Sequence, residues 1–281
     1  MAQVLQKRLA FIGAGNMANA IIGGLRQQGL AADLIYASNP EASILAELQQ
    51  TYGIHTQTSN LEVARQAEIW VLAVKPQILR QVCQELSALA RQQRPLIISI
   101  AAGVTLEMLG DWLGAQDLPL IRCMPNTPAL VGAGASGLYA NAQVTEEEKA
   151  SAQALMQAVG ISLWVEEEAL IDAVTGISGS GPAYFFLAME ALAAAGEAQG
   201  LTPEVARQLS LQTALGAARM ACENTVDVAE LRRRVTSPKG TTERAIQSFE
   251  AAGLRQIYQD AVQAAVTRSQ ELAQELANAS K

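Results

Sequence analysis

Six residues near the start of the chain, Gly13-Ala14-Gly15-Asn16-Met17-Ala18, have the types and spacing needed to hold a diphosphate. Gly13 permits a tight turn, Gly15 lets the backbone close on a pyrophosphate, and Ala18 is small enough for a helix to pack on the preceding strand. A helix starting here aims free N–H groups and a partial positive charge at phosphate oxygens. Leu9 to Ile12 reads as a buried strand, and Ala20, Ile21, Ile22 and Leu25 follow at helical spacing. Strand, glycine turn and helix are the context a dinucleotide seat requires. The bland alternative is a βα turn that merely needs glycine.

The same chemistry asks for a ribose contact at the end of the second strand, read over 33–37. Ser38-Asn39-Pro40 follows it, and no Asp or Glu stands before Glu41. A carboxylate there would repel a 2′-phosphate, so the turn leans towards NADP(H), and an Asp introduced at Ser38 is expected to favour NADH. No Arg clamps the turn, so NADH use is also expected. Lys75-Pro76 closes the apolar strand 69–74 at the edge where such sheets bind ligands, and serves the cofactor or caps the next helix. Ser178-Gly179-Ser180-Gly181-Pro182 interrupts a helical stretch, as a break or as a packing and substrate-side element. Arg232, Arg233 and Arg234 offer a substrate contact or, as charge runs commonly do, a solvated face. Thr236 to Thr242 is a small-residue turn before a helix, which suits an anion. Asn126 and Thr127 read as turn residues.

What is missing narrows the chemistry. The single histidine, His55, follows Ile54 among alternating polar residues and reads as strand-edge or surface, which removes Ser-His, Cys-His and His-ligated metal chemistry. Cys83, Cys123 and Cys222 are too far apart for a C-x-x-C pair and read as reduced structural thiols. No metal site is read. A net charge of −7 argues against nucleic acid or an anionic membrane as partner. Met1 to Lys7 has no apolar core of signal-peptide length, and no run long enough to span a membrane occurs, so a cytoplasmic protein is expected.

The elements that must position these residues fall into two patterns. Strands at 9–12, 33–37, 69–74, 96–100 and 120–123 alternate with helices at 42–52, 76–90 and 145–158. Two shorter β-like stretches, at 137–140 and 161–165, flank the last of these. Such alternation indicates a doubly wound α/β domain, here residues 1–166. From 167 to 281 the periodicity is helical. Ala183 to Ala198 is apolar all round and must be covered, for which a second copy of the chain is a natural candidate. Thr202-Pro203-Glu204 opens another helix, and further helices are read from Glu243 and over 253–278.

The chain resembles pyrroline-5-carboxylate reductases through F-I-G-A-G-N-M at 11–17, A-V-K-P at 73–76, S-I-A-A-G-V-T at 99–105 and R-C-M-P-N-T-P at 122–128. S-G-S-G-P-A-Y at 178–184 and T-S-P-K-G-T-T at 236–242 are more specific still. The resemblance covers residues 8–272. It implies an N-terminal Rossmann domain, an all-helical C-terminal dimerisation and substrate-binding domain, and a homodimer open to assembly into a larger ring of dimers. The implied activity is hydride transfer from NADPH or NADH to the cyclic imine 1-pyrroline-5-carboxylate, the last step of proline biosynthesis.

Carried over residue by residue, the cofactor contacts fall on Ile12, Gly13, Ala14, Gly15, Asn16 and Met17, then on Ser38, Asn60, Ala73, Val74, Lys75, Pro76 and Ala102. The substrate carboxylate falls on the N–H groups of Gly240, Thr241 and Thr242, and the hydroxyl of Thr242 falls at the ring nitrogen as hydrogen-bond partner and proton relay, beside a helix-capping role. Lys239 stands where the family commonly has glycine, so a positive φ there would strain it. The 223–228 connection also departs from the family pattern, and no contact is carried over to it. A 3-hydroxyacid dehydrogenase is the competing enzyme class, but its acid/base lysine has no counterpart, since no lysine lies between Ala150 and Lys239. A non-catalytic nucleotide sensor is the other alternative, and the intact 236–242 loop argues against it.

Overall fold

The computed structural model describes residues 6–278; Met1 to Leu5, part of the stretch read for a leader, lie outside the described residues. Short apolar runs supply most of one eight-stranded sheet. β1 (Leu9–Ile12), β2 (Ile35–Ser38), β3 (His55–Gln57), β4 (Ile69–Leu72), β5 (Leu96–Ser99) and β6 (Leu120–Met124) run parallel in the order β3-β2-β1-β4-β5-β6. β7 (Gly134–Ala140) is antiparallel to β6, and β8 (Gly160–Trp164) pairs parallel with β7 at the edge. The strand order reverses between β1 and β4, the switch point at which doubly wound sheets bind their ligands.

Helices α1 (Asn16–Gln27), α2 (Ala42–Tyr52), α3 (Asn60–Arg65), α4 (Pro76–Gln93), α5 (Leu106–Leu113), α6 (Glu146–Gln157) and α7 (Leu170–Val174) complete this part. Alternate strand residues supply two separate cores. Leu9, Phe11, Val71 and Ile98 meet Ile21, Ile22 and Leu155 on one face. Ala10, Trp70, Leu72 and Ile97 meet Val63, Leu79 and Leu109 on the other. Burial on both faces is why these strands read as continuous apolar runs. β3 carries only His55-Thr56-Gln57 at the sheet edge, where Tyr36 stacks on His55 with ring centroids 4.7 Å apart. Its polar composition hid it as a strand. α5 is announced by its cap, Thr105, whose side chain accepts from Met108 N–H.

The chain divides into two compact units, residues 1–180 with 264–281, and residues 181–263. This packing boundary lies later than the change of sequence pattern at Glu166. α7 stays with the sheet because Ile171 is buried and Val174 sits so close over β7 that a Cβ on Gly137 would lie 2.6 Å from its Cγ1. The second unit holds α8 (Gly181–Ala198), α9 (Pro203–Glu223), α10 (Val228–Arg234), α11 (Thr241–Ala251) and the first part of α12 (Leu254–Asn278). α8 and α9 pack as a pair, with Ser210 Oγ donating to Met189 C=O at 2.8 Å and Gly196 opposite Ala206. Much of the apolar surface stays open, including Phe185, Phe186 and Leu187, each more than 60% exposed.

Among the described residues Arg122 is the one buried arginine or lysine, at 4% exposure within the first unit. Its guanidinium pairs with Glu168 Oε1 and Asp172 Oδ1, each at 3.3 Å. Glu168 Oε1 also accepts from Leu106 N–H at the start of α5, and Asp172 Oδ1 accepts from Ser269 Oγ of α12 at 2.7 Å. Arg122→Met is expected to leave two uncompensated carboxylates and cost about 3 kcal/mol, the low end because Glu168 keeps some solvent. Adding Glu168→Gln and Asp172→Asn should restore most of that loss. Urea unfolding midpoints of the single and triple variants check both outcomes.

Candidate functional site

The glycine turn is built by close approach. Gly13 has φ +90°, and a Cβ on it would lie 2.5 Å from Val74 Cγ1 and 2.9 Å from Val74 N. Glycine is required twice over, by the backbone and by the Ala73–Val74 segment against it. Ala73 N–H donates to Ile12 C=O at 2.8 Å, which ties the ends of β4 and β1 together. Gly13 and Ala14 N–H both donate to Ser38 C=O, at 3.1 and 2.8 Å. These two groups fasten β1 to β2 and are not free for a phosphate. Ile12, buried in β1, and Gly13 therefore shape the turn rather than donate to a ligand.

Gly15 differs in kind. A Cβ on it would meet nothing within 4 Å, so packing does not demand glycine there. The open space is what a group closing on the backbone would fill. Gly15 is the N-cap of α1 and no side chain caps the helix, so Asn16 and Met17 present N–H groups without intrahelical partners. The residues fit a dinucleotide pyrophosphate on these two grounds. Lys75 is the N-cap of α4 with Pro76 at the first helical position, so the capping role is real; its side chain is exposed towards solvent. Ala102 lies in the turn after β5, at the same carboxyl edge.

The turn after β2 corrects one expectation. Ser38 is fully buried, and its Oγ donates to Asn60 Oδ1 at 2.8 Å. Asn60, the first residue of α3, in turn donates Nδ2 to Glu85 Oε2 at 3.3 Å. Ser38 is a residue that positions Asn60 and the glycine turn, and an Asp there would face Asn60 Oδ1 and Phe11 C=O in the interior. The side chain that reaches the surface is Asn39, held by Nδ2 donating to Ala14 C=O (3.2 Å) and Oδ1 accepting from Glu41 N–H (2.9 Å). In a sheet buried on both faces the first outward residue comes only after the last paired one, and β2 ends at 38, not 37.

The loop before α11 corrects another. Gly240 N–H donates to Ser237 C=O at 3.0 Å across Pro238 and Lys239. Proline second and a positive φ third, +60° at Lys239, are the features of a type II turn, which favours glycine third. The anticipated strain at Lys239 is therefore present, worth about 1 kcal/mol. With its N–H spent, Gly240 is the N-cap of α11 and not a donor to an anion. α11 begins at Thr241, two residues before the position expected, and Thr241 and Thr242 carry the first open N–H groups. The Thr242 side chain is exposed and caps nothing among the described residues.

Other candidates resolve into structure. Arg233 and Arg234 pair with Glu230, and Arg232 lies 3.8 Å from Glu250, all on an exposed face. Cys83 and Cys123 are buried, and burial pushes the Cys83 thiol up to about 12 and raises Cys123 as well, so neither offers a thiolate nucleophile.

A doubly wound sheet with an open glycine turn at its switch point defines the class, a dinucleotide-binding oxidoreductase. Two family profiles match, "NADP oxidoreductase coenzyme F420-dependent" over residues 8–103 and "Pyrroline-5-carboxylate reductase dimerisation" over residues 168–272. A pyrroline-5-carboxylate reductase of Pseudomonas aeruginosa is 55% identical over 96% of this chain and 98% of its own. The structure of a pyrroline-5-carboxylate reductase from Coxiella burnetii superposes with a TM-score of 0.92 at 44% identity, covering 95% of this chain and 98% of that one. The Plasmodium falciparum pyrroline carboxylate reductase, a structure with NADP bound, gives 0.82 at 29% identity over 95% and 98%. The chain belongs to the pyrroline-5-carboxylate reductase family.

The site geometry yields a paired test of cofactor preference. Asn39→Asp, at the surface, is expected to move kcat/KM from NADPH towards NADH by about tenfold, as one unfavourable charge at the 2′-phosphate would. Ser38→Asp, in the interior, is expected to lower thermal stability without a clean change of preference. Steady-state kinetics with both cofactors, beside thermal melts, check the pair.

Proposed function

We propose that this protein reduces 1-pyrroline-5-carboxylate to L-proline with NADPH, NADH also serving, as the last step of proline biosynthesis in the cytoplasm. The observation that carries this reading is the near full-length match, at 55% identity, to a pyrroline-5-carboxylate reductase. Gly15, Asn16 and Met17 would hold the pyrophosphate, with Ala14, Asn39 and Asn60 towards the adenosine. Ala73, Val74, Lys75, Pro76 and Ala102 would line the carboxyl edge. The bound dinucleotide supplies a hydride.

Residues 167–281 would bind the substrate and form the dimer. Thr241 and Thr242 N–H would donate to the substrate's carboxylate, and the Thr242 hydroxyl would stand at the ring nitrogen to donate a hydrogen bond and relay a proton. An imine protonated at nitrogen is the better hydride acceptor. Holding the two rings face to face is the larger part of the catalysis. Exposed apolar side chains on α8 and α9 support a homodimer, and a ring of dimers is the proposed larger assembly.

Absorbance at the nicotinamide band, with 1-pyrroline-5-carboxylate and each cofactor in turn, tests the activity; no turnover with either would refute it. Thr242→Ala is expected to lower kcat/KM by about ten- to 150-fold while NADPH affinity holds, and Thr242→Ser to recover most of the rate. Wild-type activity in Thr242→Ala would reduce the residue to a helix-opening threonine. Sedimentation at micromolar concentration is expected to show a dimer or larger, and an active monomer would contradict it.

A further inference from the structure

Among the described residues only Arg94 and Lys239 have positive φ without being glycine. Arg94 ends α4, where such a conformation is ordinary. Lys239 sits in the loop that leads into Thr241 and Thr242, and its backbone N–H donates to Glu243 Oε2 at 2.8 Å. Glu243 is the third residue of α11. In a capping box that carboxylate returns to the N–H of the N-cap. Here the N-cap is Gly240, whose N–H is already held by Ser237 C=O, and the carboxylate reaches one residue further back.

We propose that Glu243 is a positioning residue for the substrate's carboxylate, acting through Lys239. This rests on the reading that Thr241 and Thr242 receive that carboxylate. Lysine resists the left-handed conformation that the third position of the turn imposes, and a loop free to relax would rotate the following peptides. The Glu243 carboxylate holds the Lys239 N–H in place, so the turn keeps its shape and the two threonine N–H groups keep their direction. A carboxylate in the first turn of a helix that binds an anion would otherwise weaken binding by repulsion. Its use as an acceptor for the loop, four residues from a lysine that brings a compensating charge, explains why it is tolerated there.

The test is a double-mutant cycle on the full-length enzyme, with Glu243→Ala, Lys239→Gly and both together, and Glu243→Gln as the conservative variant. Glu243→Ala is expected to raise KM for 1-pyrroline-5-carboxylate about tenfold, with kcat and KM for NADPH little changed. Glu243→Gln keeps an acceptor oxygen and should hold most of the affinity. Adding Lys239→Gly to Glu243→Ala should return KM to within about twofold of wild type, because glycine adopts positive φ without a brace. An unchanged or lowered KM in Glu243→Ala would overturn the proposal, as would an equal rise in the Lys239→Gly background. Thermal melts of the same proteins need no substrate. Coupled melts in a wild type that turns over no 1-pyrroline-5-carboxylate would refute the substrate and retain the brace; additive melts in an active enzyme would refute the brace.

Discussion

The first compact unit depends on one buried charge. Arg122 projects from β6 into an interior where a guanidinium must be matched, and the match comes from two carboxylates. Glu168 precedes α7, Asp172 lies within it, and through these two carboxylates the network reaches Leu106 N–H of α5 and Ser269 of α12. Three segments distant in sequence, α7 with the turn before it, α5 and α12, are thus fixed to one strand. Replacing Arg122 leaves Asp172, and in part Glu168, short of solvation, which is why a buried network specifies a single arrangement more sharply than an apolar core does. Ser269, with Leu272 and Leu276 over Gly103, holds residues 264–278 with the sheet.

The candidate functional residues follow a different logic, in which open backbone groups and space are what the chain offers a ligand. Gly13 is present because Val74 leaves no room for a side chain, while Gly15 is present although the protein leaves it room. The contrast separates a glycine required by packing from one that leaves space for a ligand. Ser38 shows the same economy: its carbonyl anchors two N–H groups of the turn and its hydroxyl orients Asn60. Side chains that titrate near neutrality play little part. The buried thiols are held protonated, and the proton relay proposed above is a threonine hydroxyl.

The second compact unit leaves a broad apolar surface open in a single chain. α8 carries three consecutive large apolar residues more than 60% exposed, a surface that a monomer seldom keeps. The match of residues 168–272 to a dimerisation family gives that surface its context.

The amino-acid sequence by itself determined the element types wherever burial imposes a period. Apolar runs of four or five residues became the parallel strands, and helical spacing at Ile21, Ile22 and Leu25 became α1. It determined the location of the dinucleotide turn too, because the glycine requirement is local. It failed where the deciding neighbour is remote. Polar β3 is a strand only because β2 offers it hydrogen bonds, and α7 belongs to the sheet because Ile171 is buried, Asp172 meets Arg122 and Gly137 makes room for Val174. Which of Ser38 and Asn39 stays buried was decided by the last residue paired with β1, and which N–H groups stay open before α11 was decided by Ser237 C=O taking that of Gly240. A residue type says what a group can donate or accept; only the folded chain decides which of those capacities have already been used.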